Sequence, residues 1–286
     1  MRLTERDLTV FKEFLNLGPL TAKQLVALDI FPNEKKARDR AKLLHQQGYV
    51  DYCPKPYFGP GRPEYVYFLN QRKANEILLL LDCSREDICI MKPSAYAPLL
   101  LHHLAINDFV ICIRQACKHS GVYEASIIPE YKQLSSKVSK LKKSTAQGFI
   151  TTELIPDGLI CLSRKKDTTK SLLFFEIYRA TQTLEGGERS IRHKLEGYIA
   201  YRKQGLYSNF SDLFSHSFKG FRVLLVVYSA SYLEKLKNIC NEIAPAGLFW
   251  LALNEGITPA TVFKPIWHVP GEEGLKAIVN LKERGE

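Results

Sequence analysis

Two apolar segments that each contain one acid decide the fold: LIPDGLI at residues 154–160 and LLFFEIYR at residues 172–179. Asp157 lies inside the first segment, and Glu176 lies inside the second. Both segments have the length and the apolar character of buried β-strands. A carboxylate is costly to bury unless something pairs with it, and a divalent cation would serve both acids. The pattern therefore predicts two neighbouring strands whose acids form a chemical site.

The elements around this strand pair predict an α/β domain over residues 99–286, after a connecting helix and linker at 76–98. An apolar helix precedes the two strands, and a helix from about residue 188 to 203 follows them. Residues 223–228 form a continuous apolar run that is typical of a strand buried on both faces. A further helix leads to a last strand. This order predicts a mixed sheet with helices on its faces.

Residues 1–75 predict a different domain, a winged helix-turn-helix. Thr4 and Thr21 can cap the first two helices, and Asn33 opens a third helix that ends before a glycine. Two β-rich runs around a Pro/Gly loop then form a hairpin. Three helices followed by a hairpin is the order in which the third helix enters the major groove and the wing contacts the DNA backbone.

The third helix carries the basic residues that predict DNA binding. Arg38 and Arg40 are the candidates for base edges, because a guanidinium can pair with guanine through two hydrogen bonds. The remaining basic residues of the helix and the wing are candidates for phosphate contacts: Lys35, Lys36, Lys42 and Arg62. A net charge of +10 also favours a polyanionic partner such as double-stranded DNA. The alternative is a protein-interaction module with a solvated helix face.

The composition also bears on location. The chain has no apolar run of the roughly 18 residues that span a bilayer and no signal-peptide pattern at its start, which predicts no membrane association. Its seven cysteines are scattered and show no C-x-x-C spacing, so neither a disulfide framework nor a zinc site is expected. Together these features predict a reducing, cytoplasmic location. A lysine-rich stretch at 132–143 predicts a basic loop, either solvated or in contact with phosphates.

The two acids define a possible metal site. If their strands pair as a hairpin, Asp157 and Glu176 converge at one point. Asp108 lies on the inward face of the preceding helix and is either a third ligand or a group hydrogen-bonded within the core. Hard oxygen ligands of this kind suit Mg²⁺ or Mn²⁺. Such an ion would polarise a phosphate and lower the pKa of an attacking water.

These motifs together resemble a known family. The pair Pro156-Asp157, followed after about twenty residues by EIY at 176–178, resembles the PD-(D/E)XK nuclease signature. With the basic winged helix and the helix segment HHLAIND at 102–108, the chain resembles the replication-relaxation family over about residues 1–255. The resemblance implies a DNA-binding protein of plasmid or mobile-element replication or mobilisation. It implies a nuclease-like domain that nicks DNA with Mg²⁺ or Mn²⁺, and partners among plasmid replication or relaxosome proteins.

One departure from the signature leaves the activity open. The signature has a lysine two residues after the second acid, where this chain has Tyr178. Loss of such a positioned charge typically costs on the order of 10²–10³ in rate. Lys194 or Arg192 on the following helix could supply the cation, and Tyr178 is either a core residue or a nucleophile that forms a covalent phosphotyrosine. The alternatives to a nickase are a non-catalytic DNA-binding regulator with a degenerate nuclease fold and a transcriptional repressor with a C-terminal oligomerisation domain.

Overall fold

The structure is a computed structural model, and it describes two compact units. The first unit runs to Ile111 and the second begins at Cys112, so the division falls inside one helix, beyond the predicted linker at 76–98. Side chains are not described over 141–153. The described residues are 2–56, 64–83, 93, 97–129, 141–145, 148–165, 170–179, 184, 190–243 and 247–279.

The first unit has the element order that the winged helix prediction requires. Its strands form an antiparallel sheet in the order β1-β3-β2. Its elements are α1 (Glu5–Leu17), β1 (Leu20–Thr21), α2 (Ala22–Ala27), α3 (Glu34–Gln46), β2 (Val50–Pro54), β3 (Tyr65–Leu69), a 3-10 turn (Gln71–Lys73), α4 (Ala74–Leu80) and the first part of α5 (Ala97–Ser120).

The predicted helix starts of this unit are confirmed, because each is set by a local cap. The side chain of Thr4 accepts a hydrogen bond from the Asp7 amide, and the Asp7 carboxylate accepts one from the Thr4 amide at 2.7 Å. The side chains of Thr21 and Asn33 accept from backbone amides of α2 and α3 in the same way. These contacts satisfy amides that have no partner within the helix. Gly18, at a φ of 67°, ends α1.

The second unit is built on a mixed seven-stranded sheet in the order β12-β11-β10-β9-β8-β7-β4. The pairs β8–β9 and β9–β10 are parallel, and the other neighbours are antiparallel. This confirms the predicted α/β class. The elements after α5 are β4 (Tyr123–Pro129), β5 (Leu141–Thr145), β6 (Gly148–Leu154), β7 (Gly158–Arg164), β8 (Lys170–Tyr178), α6 (Ile191–Lys203), a 3-10 turn (Leu206–Phe210), α7 (Ser211–Phe214), β9 (Phe221–Val227), α8 (Ala230–Ile243), β10 (Phe249–Leu253), a 3-10 turn (Asn254–Gly256), β11 (Trp267–His268) and β12 (Leu275–Lys276).

The core of the second unit lies between this sheet and the helices that join its parallel strands. α6 follows β8 and α8 follows β9, as parallel neighbours require. Phe174, Tyr198 and Val223 are fully buried in this core, as is Leu236 of α8. These helices pack on one face of the central strands, and the residues of the opposite face are buried as well, which explains the unbroken apolar runs of β8 and β9.

Two details of the predicted second unit are wrong. The segment 154–160 is not one strand: Leu154 ends β6, Gly158 begins β7, and Asp157 lies in the bend between them. Pro156 explains the break, because it has no amide hydrogen for a central ladder. Residues 141–143, predicted as basic loop, belong to β5, which pairs with β6 as a separate hairpin. The rest of the predicted loop, residues 132–140, lies outside the described residues.

One described helix, α5, is long and apolar enough by length and composition to cross a membrane. The sequence of this helix has no uninterrupted apolar run of about 18 residues, because polar residues interrupt it. Of its most apolar window, 61% is buried inside the protein, which is typical of a core helix in a soluble protein.

Candidate functional site

The structure brings the two predicted acids together. β7 and β8 are antiparallel neighbours in which Gly158 lies opposite Phe175, so the bend at Asp157 meets the end of β8 at Glu176. The Asp157 carboxylate accepts a hydrogen bond from the Ile177 amide at 2.7 Å. Asp157 and Glu176 are both buried, with 6% and 1% of their surface exposed. The bend therefore holds one carboxylate directly beside the other.

Both carboxylate oxygens of Glu176 accept hydrogen bonds from side chains of α6. Its Oε2 accepts from the Lys194 ammonium at 2.6 Å, and its Oε1 accepts from the Tyr198 hydroxyl. Lys194 and Tyr198 are one helical turn apart, so they reach the same strand position from one helix face. Ser190 begins this helix by accepting from the His193 amide, which fixes the first turn from which Lys194 projects. Lys194 is thus the cation beside the second acid.

Burial dominates the electrostatics of Glu176. Removal from water raises its pKa, the nearby Lys194 lowers it, the charge of Asp157 raises it again, and the result is a pKa of about 7. The carboxyl group therefore exchanges its proton near neutral pH instead of near 4.5. Arg192, the other candidate cation, pairs with Glu242 on α8.

Tyr178 lies in the core of the second unit. It is 2% exposed, and its hydroxyl has no hydrogen-bond partner within the part of the chain that the structure describes. Burial first, and then the charges of Glu176 and Asp157, raise the pKa of this phenol well above its ordinary value. A phenolate nucleophile is disfavoured in this environment. Tyr178 is therefore a packing residue of the core, and its environment does not favour the predicted role as a nucleophile.

The arrangement as it stands does not fit a divalent metal ion. Both oxygens of Glu176 already accept hydrogen bonds, and one of these comes from a cation. Among the described residues, no group of three or more His, Cys, Asp or Glu side chains comes together to hold a metal. A Mg²⁺ ion prefers several oxygen ligands in near-octahedral geometry. Lys194 would have to leave Glu176 before an ion could be bound there.

Asp108, the third predicted ligand, lies on α5. It belongs to the first unit, where its carboxylate accepts from the Gln24 side-chain amide at 2.8 Å. The same amide also donates to the Leu104 carbonyl at 2.9 Å, which ties α2 to α5. The residue as a whole is exposed, which does not fit the predicted position on an inward helix face, whereas the predicted alternative of a hydrogen-bonded carboxylate agrees with the Gln24 contact. Residues 103–107 and 109–113 are all buried, so the spacing of Asp108 from buried neighbours does not determine whether it faces inward.

A second candidate site is the solvent face of α3. Four of the predicted contacts are exposed there, and they are Lys35, Lys36, Arg38 and Lys42. Arg38 pairs with Glu34 one turn earlier at 2.9 Å, with about half of each side chain exposed. Such an exposed pair is weak and leaves the guanidinium accessible. Arg62, predicted for the wing, lies outside the described residues.

Arg40 differs from the other basic residues of α3. Its Nε donates to the Asp7 carboxylate at 2.7 Å, and its terminal nitrogen donates to the second oxygen. Asp7 is fully buried, and the Arg40 side chain is 19% exposed. Burial raises the pKa of Asp7, but hydrogen bonds from Arg40 and Thr4 outweigh it, so the pKa lies below its usual value. Arg40 therefore anchors α3 to α1, a role that competes with the predicted contact to a base edge.

Two of these residues, Tyr198 and Asp7, were not predicted from the sequence. Tyr198 carries a local signal, because it is four residues after Lys194 and three after the inward Leu195. Asp7 could be recognised as a capping residue, but its pairing with Arg40 joins positions 33 apart and has no local signal.

Comparison with known proteins identifies the family to which the chain belongs. The fold is an α/β unit with a buried acid pair, preceded by a helical unit with a basic helix. A family model described as replication-relaxation matches residues 13–215. The chain belongs to this family, which supports a role in DNA processes related to replication and mobilisation. A search of curated proteins and a search of solved structures each found no match.

Proposed function

We propose that this protein binds duplex DNA through the first unit during replication or mobilisation of a plasmid or mobile element. The observation that supports the proposal is the row of exposed cations on α3, the helix that a winged helix presents to the major groove. We further propose a cytoplasmic location, with plasmid replication or relaxosome proteins as partners. In this proposal Arg38 contacts base edges, whereas the neighbouring lysines and Arg62 contact phosphates.

Two variants separate these roles in a DNA-binding assay. The preferred duplex is first selected from a randomised pool, and binding is then measured over a range of salt concentrations. Arg38→Ala should relax the preference at one base position, because a bidentate contact discriminates between bases by about 1–3 kcal/mol. Lys35→Ala should weaken binding to all sequences and reduce the salt slope by about one.

Lys12→Ala is the matched control, because Lys12 is an exposed lysine on α1 of the same unit. It should leave both the preference and the salt slope unchanged. If Arg38→Ala and Lys35→Ala bind like the unaltered protein, α3 is not the DNA-binding helix. If the protein binds no duplex at low salt, the proposal as a whole is wrong.

The second candidate function is metal-dependent nicking of DNA by the second unit. One observation favours it: Asp157, Glu176 and Lys194 meet at one point, and these are the residue types that phosphodiester hydrolysis uses. The hydrogen bonds that Glu176 accepts from Lys194 and Tyr198 favour the alternative function, a non-catalytic regulator that uses the same fold as a scaffold. A nickase would require Lys194 to move away from Glu176 so that Mg²⁺ or Mn²⁺ could bind.

A nicking assay distinguishes these candidates. Supercoiled DNA is incubated with the protein and Mg²⁺ or Mn²⁺, and the relaxed form is measured. Nicking that is lost in Asp157→Asn and Glu176→Gln, and retained in Glu242→Gln, would support the enzyme. Duplex binding that is retained in the first two variants, with no nicking by the unaltered protein under either metal, would support the regulator.

A further inference from the structure

A groove beside α3 in the first unit is lined by aromatic rings. It has a volume of about 940 Å³ and lies between α2, α3 and the β2–β3 hairpin. Four of its lining side chains carry aromatic rings, and these are His45, Tyr52, Tyr65 and Tyr67. Such a volume is within the range of binding sites for small organic groups.

The strand register explains why the rings cluster. Tyr52 of β2 lies directly opposite Tyr67 of β3, and Tyr65 is two residues away on the same face. The Tyr52 ring contacts His45, Tyr65 and Tyr67 edge to face, with centroids 4.7, 5.0 and 6.4 Å away. The His45 ring is itself held by a hydrogen bond of 2.8 Å between its Nδ1 and the Val50 carbonyl oxygen. The cluster is therefore fixed before any ligand binds.

Tyr52 remains accessible in spite of these contacts. It is 45% exposed, whereas its cross-strand neighbour Tyr67 is 5% exposed. A large ring of this kind, held in place by its neighbours and open to solvent, offers a stacking surface at little cost in conformational entropy. A base is the group in nucleic acids that such a surface binds, because every base has a π-face.

The charges around the groove fit the same ligand. Lys23 and Lys42 line it and are exposed. Of its acids, Glu34 is paired with Arg38 and Glu64 is paired with Lys55, and Asp39 is the third. The local charge is therefore nearly balanced, which favours a flat neutral group at the rings with phosphates on either side near the two lysines.

We propose that the Tyr52 groove stacks an unpaired base of DNA that is held on α3, so that the first unit prefers locally opened duplex to fully paired duplex. This inference rests on the proposed DNA binding. It adds a preference for DNA structure to that function, and the preference resides in the rings and not in the basic residues.

Fluorescence anisotropy with the full chain at low salt tests the proposal. Two labelled probes of one sequence are compared: a fully paired duplex and the same duplex with three central mismatches. The unaltered protein should bind the mismatched probe about tenfold more tightly or better. Tyr52→Leu, which removes the ring but keeps an apolar side chain, should abolish this difference and leave affinity for the paired duplex within about twofold. Tyr52→Trp should retain the preference.

Tyr207→Leu is the control, because it removes a partly exposed tyrosine of the second unit. Circular dichroism checks that each variant is folded. Equal loss of affinity for both probes in Tyr52→Leu would overturn the inference, since the ring would then support paired DNA or the fold. No preference in the unaltered protein, with paired duplex still bound, would overturn this inference alone. Failure to bind either probe would overturn the proposed function with it.

Discussion

Replacing Glu176 by glutamine should remove a pH dependence from the stability of the second unit. Burial raises the pKa of this carboxyl group from 4.5 to about 7, so the folded protein binds the proton more tightly than the unfolded chain does. The stability that this proton contributes is fully present below pH 4.5 and is lost as the pH rises through 7. At 1.36 kcal/mol for each pKa unit, the loss is about 3 kcal/mol.

The assay is urea unfolding at a series of pH values between 4.5 and 8.5, followed by tryptophan fluorescence. Trp250 and Trp267 are the two tryptophans of the chain, and both lie in the second unit, so the signal reports on that unit. The free energy of unfolding of the unaltered protein, minus that of Glu176→Gln, should fall by about 3 kcal/mol across the series. Subtracting the variant cancels the titration of groups that both proteins share.

A stability difference that does not fall with rising pH would refute this reasoning. A difference that stays constant or rises with pH would mean that Lys194 and Tyr198 hold Glu176 ionised, and that burial does not control its proton. Glu242→Gln is the control, because it removes a carboxylate from the exposed pair with Arg192. Loss of such a surface pair should change the free energy of unfolding by no more than about 1 kcal/mol.

Three further substitutions test other contacts. Lys194→Met should lower the free energy of unfolding by about 3–5 kcal/mol at pH 8, because it leaves the buried Glu176 carboxylate without a counter-charge. The loss should be smaller at pH 5, and an equal loss at both pH values would contradict this prediction. Asp7→Asn should destabilise the first unit by about 2–4 kcal/mol above pH 4, as measured by hydrogen exchange of α1 and α3. In the unaltered protein, the stabilisation by Asp7 should disappear as the pH falls below the lowered pKa of its carboxyl group. Gly158→Ala should cost about 1–3 kcal/mol or more in urea unfolding, because the added Cβ would collide with the buried Phe175 ring. Gly220→Ala is the control and should cost less than about 1 kcal/mol, because no atom lies within 4 Å of its added Cβ.

Local signals explain which elements could be predicted from the sequence. Thr4, Thr21 and Asn33 each cap a helix through contacts within three residues, so the helix starts of the first unit could be predicted from local sequence. The parallel strands at 221–227 and 249–253 could be predicted because residues on both of their faces are buried, which leaves no polar alternation. The hairpin of β5 and β6 was not predicted, since its lysine-rich first strand has the composition of a loop.

The two acids of the candidate site could be predicted from the sequence, whereas the residues that contact them could be predicted only in part. Asp157 and Glu176 were found because acids are rare in apolar runs. Their surroundings depend on which helix face lies over β8, and Lys194 was found only as one of two candidate cations. The commitment of Arg40 to Asp7 could not be predicted, because an arginine on a basic helix has the same local pattern whether it faces solvent or another helix.

The Glu176–Lys194 contact has a consequence for how this protein responds to its surroundings. A nuclease core that neutralises its acids with dissolved ions loses that neutralisation when a chelator removes them. Here the counter-ion is an ammonium group attached to the chain, present at the same effective concentration whatever the medium contains. The second unit should therefore remain folded in chelating buffers and in cells starved of divalent cations.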